Sequence, residues 1–190
     1  MRFKIEVDAA KCTGCRMCEM ACSFAHEQVY GPYWSRIRVS RLEDTGVDYP
    51  VVCQQCLRAT CVEACPTGAI YRPEATMAIL VDADKCTHCG ECVKACPFGA
   101  VALHPETGVP MICDLCGGKP VCVSRCETRA IHLAPVKWED KTRETYPRPV
   151  VKEADIGAVN LEALNKRFAF ARREAKKVVQ GWKAEGIIDV

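Results

Sequence analysis

Short apolar runs recur along the first two thirds of the chain, and each one is bounded by turn-forming residues. Runs at 50–52, 78–81 and 110–112 precede cysteine-rich segments, and runs at 69–71 and 100–103 come after them. Apolar and β-branched runs of this length between Gly and Pro are typical of short strands. The pattern predicts a repeat of strand, loop, short helix and strand.

A different pattern occupies residues 26–50. Polar and apolar residues alternate from Ser35 to Ser40, and Asp44-Thr45-Gly46 is a turn signal ahead of the next apolar run. Strict alternation followed by a glycine-containing turn predicts two antiparallel strands. We therefore expect a β-ribbon insertion over 26–50.

The last third of the chain, 135–190, has a third pattern. It opens with a proline- and charge-rich strap, and a helix is predicted from an N-cap at Asn160 to about Glu185, with Gly186 beyond its end. Apolar residues three and four apart form one seam along this helix: Leu161, Leu164, Phe168, Ala171, Ala175, Val178 and Trp182. The seam either folds back on the chain's own core or docks on a neighbouring subunit, including another copy of this chain.

The sixteen cysteines of this 190-residue chain change the picture most, because they fall into four quartets with none left over. Each quartet opens with C-x2-C, has a third cysteine two to five residues on, and ends with a fourth after three more. The quartets are Cys12, Cys15, Cys18, Cys22; Cys53, Cys56, Cys61, Cys65; Cys86, Cys89, Cys92, Cys96; and Cys113, Cys116, Cys122, Cys126. Four thiolates in each of four segments predict four [4Fe-4S] clusters as cofactors.

Two other uses of cysteine fit less well. A disulfide scaffold is expected in secreted proteins, whereas the N-terminal residues have no apolar signal core, so we expect a reducing, cytoplasmic location. Zinc sites use two C-x2-C pairs set well apart, unlike these compact quartets. No run reaches the ~18 apolar residues of a membrane span. A net charge of +2 gives no reason to expect nucleic acid, although the basic terminal helix leaves a nucleic-acid module as a remote alternative.

The segments after the fourth cysteines also repeat. The second, third and fourth quartets continue alike, as Cys65-Pro66-Thr67-Gly68-Ala69, Cys96-Pro97-Phe98-Gly99-Ala100 and Cys126-Glu127-Thr128-Arg129-Ala130, and each predicts a turn after the fourth cysteine. In two-cluster ferredoxins that fourth cysteine ligates the other cluster, so quartets work in pairs. The second and third quartets share Cys-Pro, and the first and fourth lack it, which suggests how they pair.

Residues 5–134, with all sixteen cysteines, resemble the four-cluster, ferredoxin-like electron-transfer subunits of multi-subunit oxidoreductases. The resemblance implies an α+β fold with an inner two-cluster module (51–107) inserted in an outer one (1–25 and 108–134), within a domain of residues 1–134. It also implies four crossed ligand sets: Cys12, Cys15, Cys18 with Cys126; Cys113, Cys116, Cys122 with Cys22; Cys53, Cys56, Cys61 with Cys96; and Cys86, Cys89, Cys92 with Cys65.

The compact segment from Cys113 to Cys122 and the run from Ser35 to Val39 look most like the small subunits that accompany tungsten-dependent aldehyde:ferredoxin oxidoreductases. This resemblance implies a tungsten- or molybdenum-pterin catalytic subunit and a flavin subunit or ferredoxin as partners. Cys126-Glu127 departs from the commoner Cys-Pro pattern. The chain has no dinucleotide fingerprint, P-loop or radical-SAM motif, so we expect no substrate site of its own. The alternatives are the iron–sulfur subunit of a hydrogenase or molybdopterin reductase, or a free polyferredoxin.

Overall fold

The computed structural model describes residues 2–75, 78–136 and 156–186, with side chains from 162 onward in the last of these segments. Its strands and α-helices, in chain order, are β1 (Phe3–Val7), α1 (Met17–Glu27), β2 (Arg38–Leu42), β3 (Val47–Val51), α2 (Thr60–Glu63), β4 (Ile70–Tyr71), β5 (Leu80–Val81), α3 (Glu91–Ala95), β6 (Ala102–Leu103), β7 (Pro110–Met111), α4 (Val121–Ser124), β8 (Ile131–Pro135) and α5 (Ile156–Ala184). Short helices and small sheets therefore alternate, which confirms the α+β class.

The strands of the described residues form four two-stranded antiparallel sheets. β1 pairs with β8, with Ile5 opposite Leu133, and brings the first cysteine segment beside the last. β4 pairs with β5 and β6 with β7, so each short apolar run predicted as a strand contributes to a sheet. Ile5, Ile70 and Leu103 are almost fully buried, because one face of each sheet covers the cysteine loops. The module boundaries stay a prediction.

The predicted ribbon is the hairpin β2–β3. Gly46 takes a left-handed conformation in its turn, with φ of +67°, which is the reason for a glycine there. The Glu19 side chain of α1 accepts a hydrogen bond from the backbone N–H of Val39 at 2.7 Å. That bond fastens the ribbon to the helix of the first quartet.

The long terminal helix α5 begins at Ile156, four residues ahead of the predicted N-cap, so Asn160 lies inside the helix and the start was misplaced. Its end is close to the prediction, because Gly186 has a φ of +68° and donates its N–H to the carbonyl of Lys183. A left-handed glycine just past the last turn is a common helix stop.

The face that α5 presents to its own chain is made of small residues. Ala163, Ala171 and Ala175 are fully buried against β2, β3, α3 and β6. Phe170 packs edge-to-face on Tyr49 and Phe98, at centroid distances of 5.6 and 5.1 Å. Of the two interpretations of this helix, the structure shows the one in which it folds back on the core.

The predicted seam is only partly the buried face. Leu164 and Phe168 are 36% and 37% exposed, and the buried position between them is Arg167. The difference arises because the contact is made by residues four apart, 163, 167, 171 and 175, which form a row inclined across the helix surface, whereas the alternating three-and-four spacing of a coiled coil runs nearly parallel to the helix axis. Two large apolar side chains are therefore left at the surface.

None of the helices in the described ranges is long and apolar enough to cross a membrane.

Candidate metal centres

The backbone of each C-x2-C segment has the same unusual conformation just before its second cysteine. That position is left-handed in all four quartets, with φ between +49° and +65°, and is occupied by Gly14, Gln55, His88 and Leu115. The left-handed turn aims backbone N–H groups inward: those of Gln55 and His88 lie 3.5 and 3.4 Å from the sulfur of their quartet's first cysteine. Since three of the four are not glycine and carry a strain cost, the inward N–H groups are a structural requirement of these loops.

The predicted turn after the fourth cysteine is confirmed in three quartets. Gly68, Gly99 and Arg129 occupy it with φ of +67°, +61° and +57°. Each donates its N–H to the carbonyl of the fourth cysteine, at 3.5, 3.5 and 3.2 Å. After the turn, the chain enters β4 in the second quartet, runs towards β6 in the third, and enters β8 in the fourth.

All sixteen cysteines lie in the described residues, and all are free thiols. Cys92 interacts electrostatically with Cys86 and Cys89 of its own quartet and with Cys65 of the second. Cys53 does the same with Cys56 and Cys61 of its own quartet and with Cys96 of the third.

The outer quartets repeat this arrangement. Cys122 has Cys113 and Cys116 of its own quartet and Cys22 of the first as neighbours. Cys12, likewise, has Cys15 and the distant Cys126. Each of these four thiols therefore has a neighbouring thiol from another quartet.

Burial raises the pKa of the thiols at the third position of each quartet, and the charges of neighbouring groups raise it further. The same holds for Cys53 and Cys113. Buried thiolates packed together are unstable unless a cation compensates them. Four converging sulfurs with N–H groups around them are the donor set of an iron–sulfur cluster, so these residues fit that cofactor.

Gln55 was not singled out from the sequence, yet its fully buried side chain joins the second and fourth quartets. Its amide donates to the carbonyl of Cys113 at 2.6 Å and accepts from the N–H of Ile79 at 3.0 Å. Only its place inside a C-x2-C segment, where a polar side chain can reach a neighbouring loop, could have indicated this role.

His26 joins the first and fourth quartets in a similar way. Its Nδ1 lies 2.8 Å from the carbonyl oxygen of Cys22 and 3.8 Å from that residue's sulfur, and its Nε2 lies 3.1 Å from Asp114 Oδ1. Because both ring nitrogens face acceptors, both carry hydrogens, and the ring is a cation. The hydrogen bond to Asp114, with those to Cys116 and Cys22, raises the pKa of His26 far above its usual value.

We expect His26→Gln to lower the reduction potential of a cluster bound beside Cys22 and Cys116. A positive charge near a cluster favours its reduced form, so removing one about 4 Å from a ligand sulfur should shift the potential by about 100 mV. Redox titration followed by electron paramagnetic resonance measures the shift. His132→Gln, which removes an exposed histidine paired with Glu6, is the control. An unchanged potential in His26→Gln would contradict this role.

Comparison with known families supports [4Fe-4S] clusters as the cofactors that these cysteines bind. A family model described as a 4Fe-4S dicluster domain matches residues 47–136, and one described as a 4Fe-4S binding domain matches residues 4–30. The two matches together contain all four quartets.

Three similar proteins span most of the chain. The polyferredoxin-like subunit of an aliphatic sulfonate oxidoreductase from Pyrococcus furiosus is 46% identical, over 82% of this chain and 91% of its own. The thiosulfate reductase electron transfer subunit PhsB from Salmonella typhi is 35% identical, over 81% and 88%. A solved chain of the active site complex BamBC of benzoyl coenzyme A reductase aligns over 93% and 97%, with 25% identity and a TM-score of 0.44.

Proposed function

The chain belongs to the family of iron–sulfur electron-transfer subunits of oxidoreductase complexes, and on that premise we propose how its sixteen cysteines are shared among four [4Fe-4S] clusters and in what order electrons pass. Its relatives are electron-transfer subunits and not catalytic ones, so the role of this chain is to carry electrons. When bound, the clusters supply one-electron transfer.

We assign the ligands to four crossed sets, numbered I to IV. Set I is Cys12, Cys15, Cys18 and Cys126; set II is Cys113, Cys116, Cys122 and Cys22; set III is Cys53, Cys56, Cys61 and Cys96; set IV is Cys86, Cys89, Cys92 and Cys65. The observation that carries this assignment is that one member of each set has a thiol neighbour from the other quartet of its module.

Neighbours between sets support a linear order. Cys18 of set I interacts with Cys122 of set II, and Cys61 of set III with Cys92 of set IV. The link between the modules is Cys113 of set II. Among the neighbouring side chains, Cys53 of set III has the largest electrostatic effect on it. The order is therefore I, II, III, IV.

Burial supports set I and set IV as the two ends. In each of them only the third-position cysteine, Cys18 or Cys92, is buried, and Cys15 of set I is exposed. Sets II and III each have three buried cysteines. Electrons therefore enter and leave through the exposed ends, while the protein shields the two middle positions from water.

The chain's own residues set the environment of the relay. Inward N–H groups, such as those of Gln55 and His88, stabilise the negative charge on ligand sulfurs. The Gln55 side chain holds the second and fourth cysteine loops together and so fixes the spacing between sets III and II.

The partners that we propose are a tungsten- or molybdenum-pterin catalytic subunit of the aldehyde oxidoreductase type at one end and a flavin subunit or ferredoxin at the other, in the cytoplasm. Similarity to a subunit of the aliphatic sulfonate oxidoreductase supports a catalytic partner in general. Similarity to PhsB favours, as a second candidate, the same role in a molybdopterin reductase.

The test is to purify the tagged chain anaerobically from its source and identify the co-purifying subunits with their metals. We expect a stable complex that contains tungsten or molybdenum, in which substrate reduces the clusters of this chain. Recovery of the chain alone, as a carrier that is fully active without a stable partner, would contradict the proposal.

A further inference from the structure

A surface pocket of about 450 Å³ lies between α5, the loop after α1 and the β6–β7 hairpin. Its apolar lining includes Tyr33, Leu164 and Phe168, which are 73%, 36% and 37% exposed. Leu164 and Phe168 are predicted seam residues that α5 leaves exposed. Large apolar side chains grouped around a concave surface are typical of an interaction site.

The pocket also contains more positive than negative charge. Arg38 and Arg167 line it, and within the described residues neither forms an ion pair: Arg38 donates to the carbonyls of Pro32 and Tyr33, and Arg167 to that of Gly99. Arg167 is only 8% exposed. Glu19 attracts both guanidinium groups electrostatically without forming an ion pair with either among the described residues, so their positive charge is only partly offset and attracts a further anion.

One carboxylate, Glu19, shares the pocket and is 2% exposed. Its Oε1 accepts from Val39, whereas its Oε2 has no hydrogen-bond partner among the described residues and lies 3.8 Å from Nε of Arg16, a third cation of the lining. Three cations therefore face one carboxylate. The pocket is complementary to a group that carries negative charge and that can approach the guanidinium side.

The surface around the pocket indicates that its ligand is part of a protein and not a small molecule. Tyr30, three residues before Tyr33, is 67% exposed. Its ring stacks on that of the exposed Phe24, with the ring centroids 4.6 Å apart. Among the described residues, the large exposed apolar side chains thus concentrate on the segment that leads into this pocket. A surface of this kind, with aromatic and arginine side chains together, has the composition of a protein–protein contact.

We propose that this pocket, the Tyr33–Arg167 pocket, docks a segment of the catalytic partner subunit in which a carboxylate lies next to an aromatic or aliphatic side chain. The proposal rests on the function proposed above and adds where the partner binds. Arg38 interacts electrostatically with Cys22 of set II, and Arg167 with Cys96 of set III. The docked segment therefore lies beside the middle of the relay, and the catalytic subunit extends from this contact to the end of the relay at which it exchanges electrons.

The test uses the complex purified with its partner. A photo-reactive benzoylphenylalanine at position 33 is expected to cross-link to the catalytic subunit, at a peptide with Asp or Glu beside an apolar residue. The same reagent at Phe3, an exposed position on β1, is the control and should not yield that peptide. Cross-links from position 33 only to another part of this chain, to a different subunit or to no protein would overturn the proposal.

Affinity gives a second measurement. Tyr33→Ala with Phe168→Ala should weaken binding of the separated catalytic subunit about tenfold or more, as for hot-spot aromatics, and Arg16→Gln should reduce its salt dependence. Arg172→Gln, on the same helix but paired with Asp44, is the matched control. If the complex forms and the double variant binds as tightly as the native chain, the docking site is wrong while the relay stands. If no catalytic subunit co-purifies with the native chain, the proposed function itself fails.

Discussion

Cys65→Ala is expected to abolish or alter the same cluster signal as Cys86→Ala, although the two residues belong to different quartets. Both are assigned to set IV, and Cys92 of that set has Cys65 as a neighbour. Either substitution leaves one corner iron without its thiolate, so up to about four iron atoms per chain should be lost. We expect the two variants to have matching spectra, with the signals of the other three clusters unchanged.

Cys53→Ala is the comparison that makes this test decisive. It belongs to the same quartet as Cys65 but to set III, so it should remove a different signal. If each quartet bound its own cluster, Cys65→Ala would instead match Cys53→Ala. Electron paramagnetic resonance of the reduced proteins, with iron analysis, distinguishes the two outcomes. Because Cys65 and Cys86 are only partly buried, both set IV variants should keep the rest of the fold.

This experiment addresses what the sequence alone could only imply. Spacing within a quartet is local, and it is enough to predict the loops, the turns at Gly68 and Gly99, and the short strands beyond those turns. Which quartet supplies the fourth thiol depends on how distant segments pack, as β1 and β8 do. The resemblance supplied that pairing, and it stays a prediction that the comparison of these variants tests.

Other features escaped prediction because they depend on tertiary contacts. Gln55 and His26 reach across to the fourth quartet, and nothing in their local sequence identifies their partners. Apolar spacing correctly placed Ala171 and Ala175 on the buried face of α5, but it missed Ala163 and Arg167 and included the exposed Leu164 and Phe168. Close helix packing selects small residues over large ones, so the most apolar side chains were the wrong guide to the buried face.

The close approach of α5 leads to the second prediction, that Gly99→Ala should loosen this helix from the core. Gly99 has a φ of +61°, and a Cβ there would lie within 2.5 Å of the backbone nitrogen of Arg167. The left-handed conformation costs an alanine about 1–2 kcal/mol, and overlap with the helix backbone adds about 1–3 kcal/mol. The substitution also strains the hydrogen bond from Arg167 to the Gly99 carbonyl.

Gly68→Ala is a control that the repeat itself provides. Gly68 occupies the same turn after the second quartet, with a φ of +67°, but a Cβ there would meet nothing within 4 Å. Gly68→Ala should therefore cost only the conformational term, about 1–2 kcal/mol, and leave α5 in place. The difference in stability cost between Gly99→Ala and Gly68→Ala therefore measures the contact between α5 and the loop that carries Cys96.

Hydrogen exchange of α5 in the cluster-loaded protein measures that difference, since local opening is detected without unfolding the whole chain. An extra cost of about 1–3 kcal/mol corresponds to exchange that is about 5- to 150-fold faster at residues 163–175. Equal exchange of α5 in both variants would show that the helix does not depend on this contact. Faster exchange in Gly99→Ala alone would show that the close approach of α5 to the glycine at position 99 helps to hold this helix beside the loop that carries Cys96.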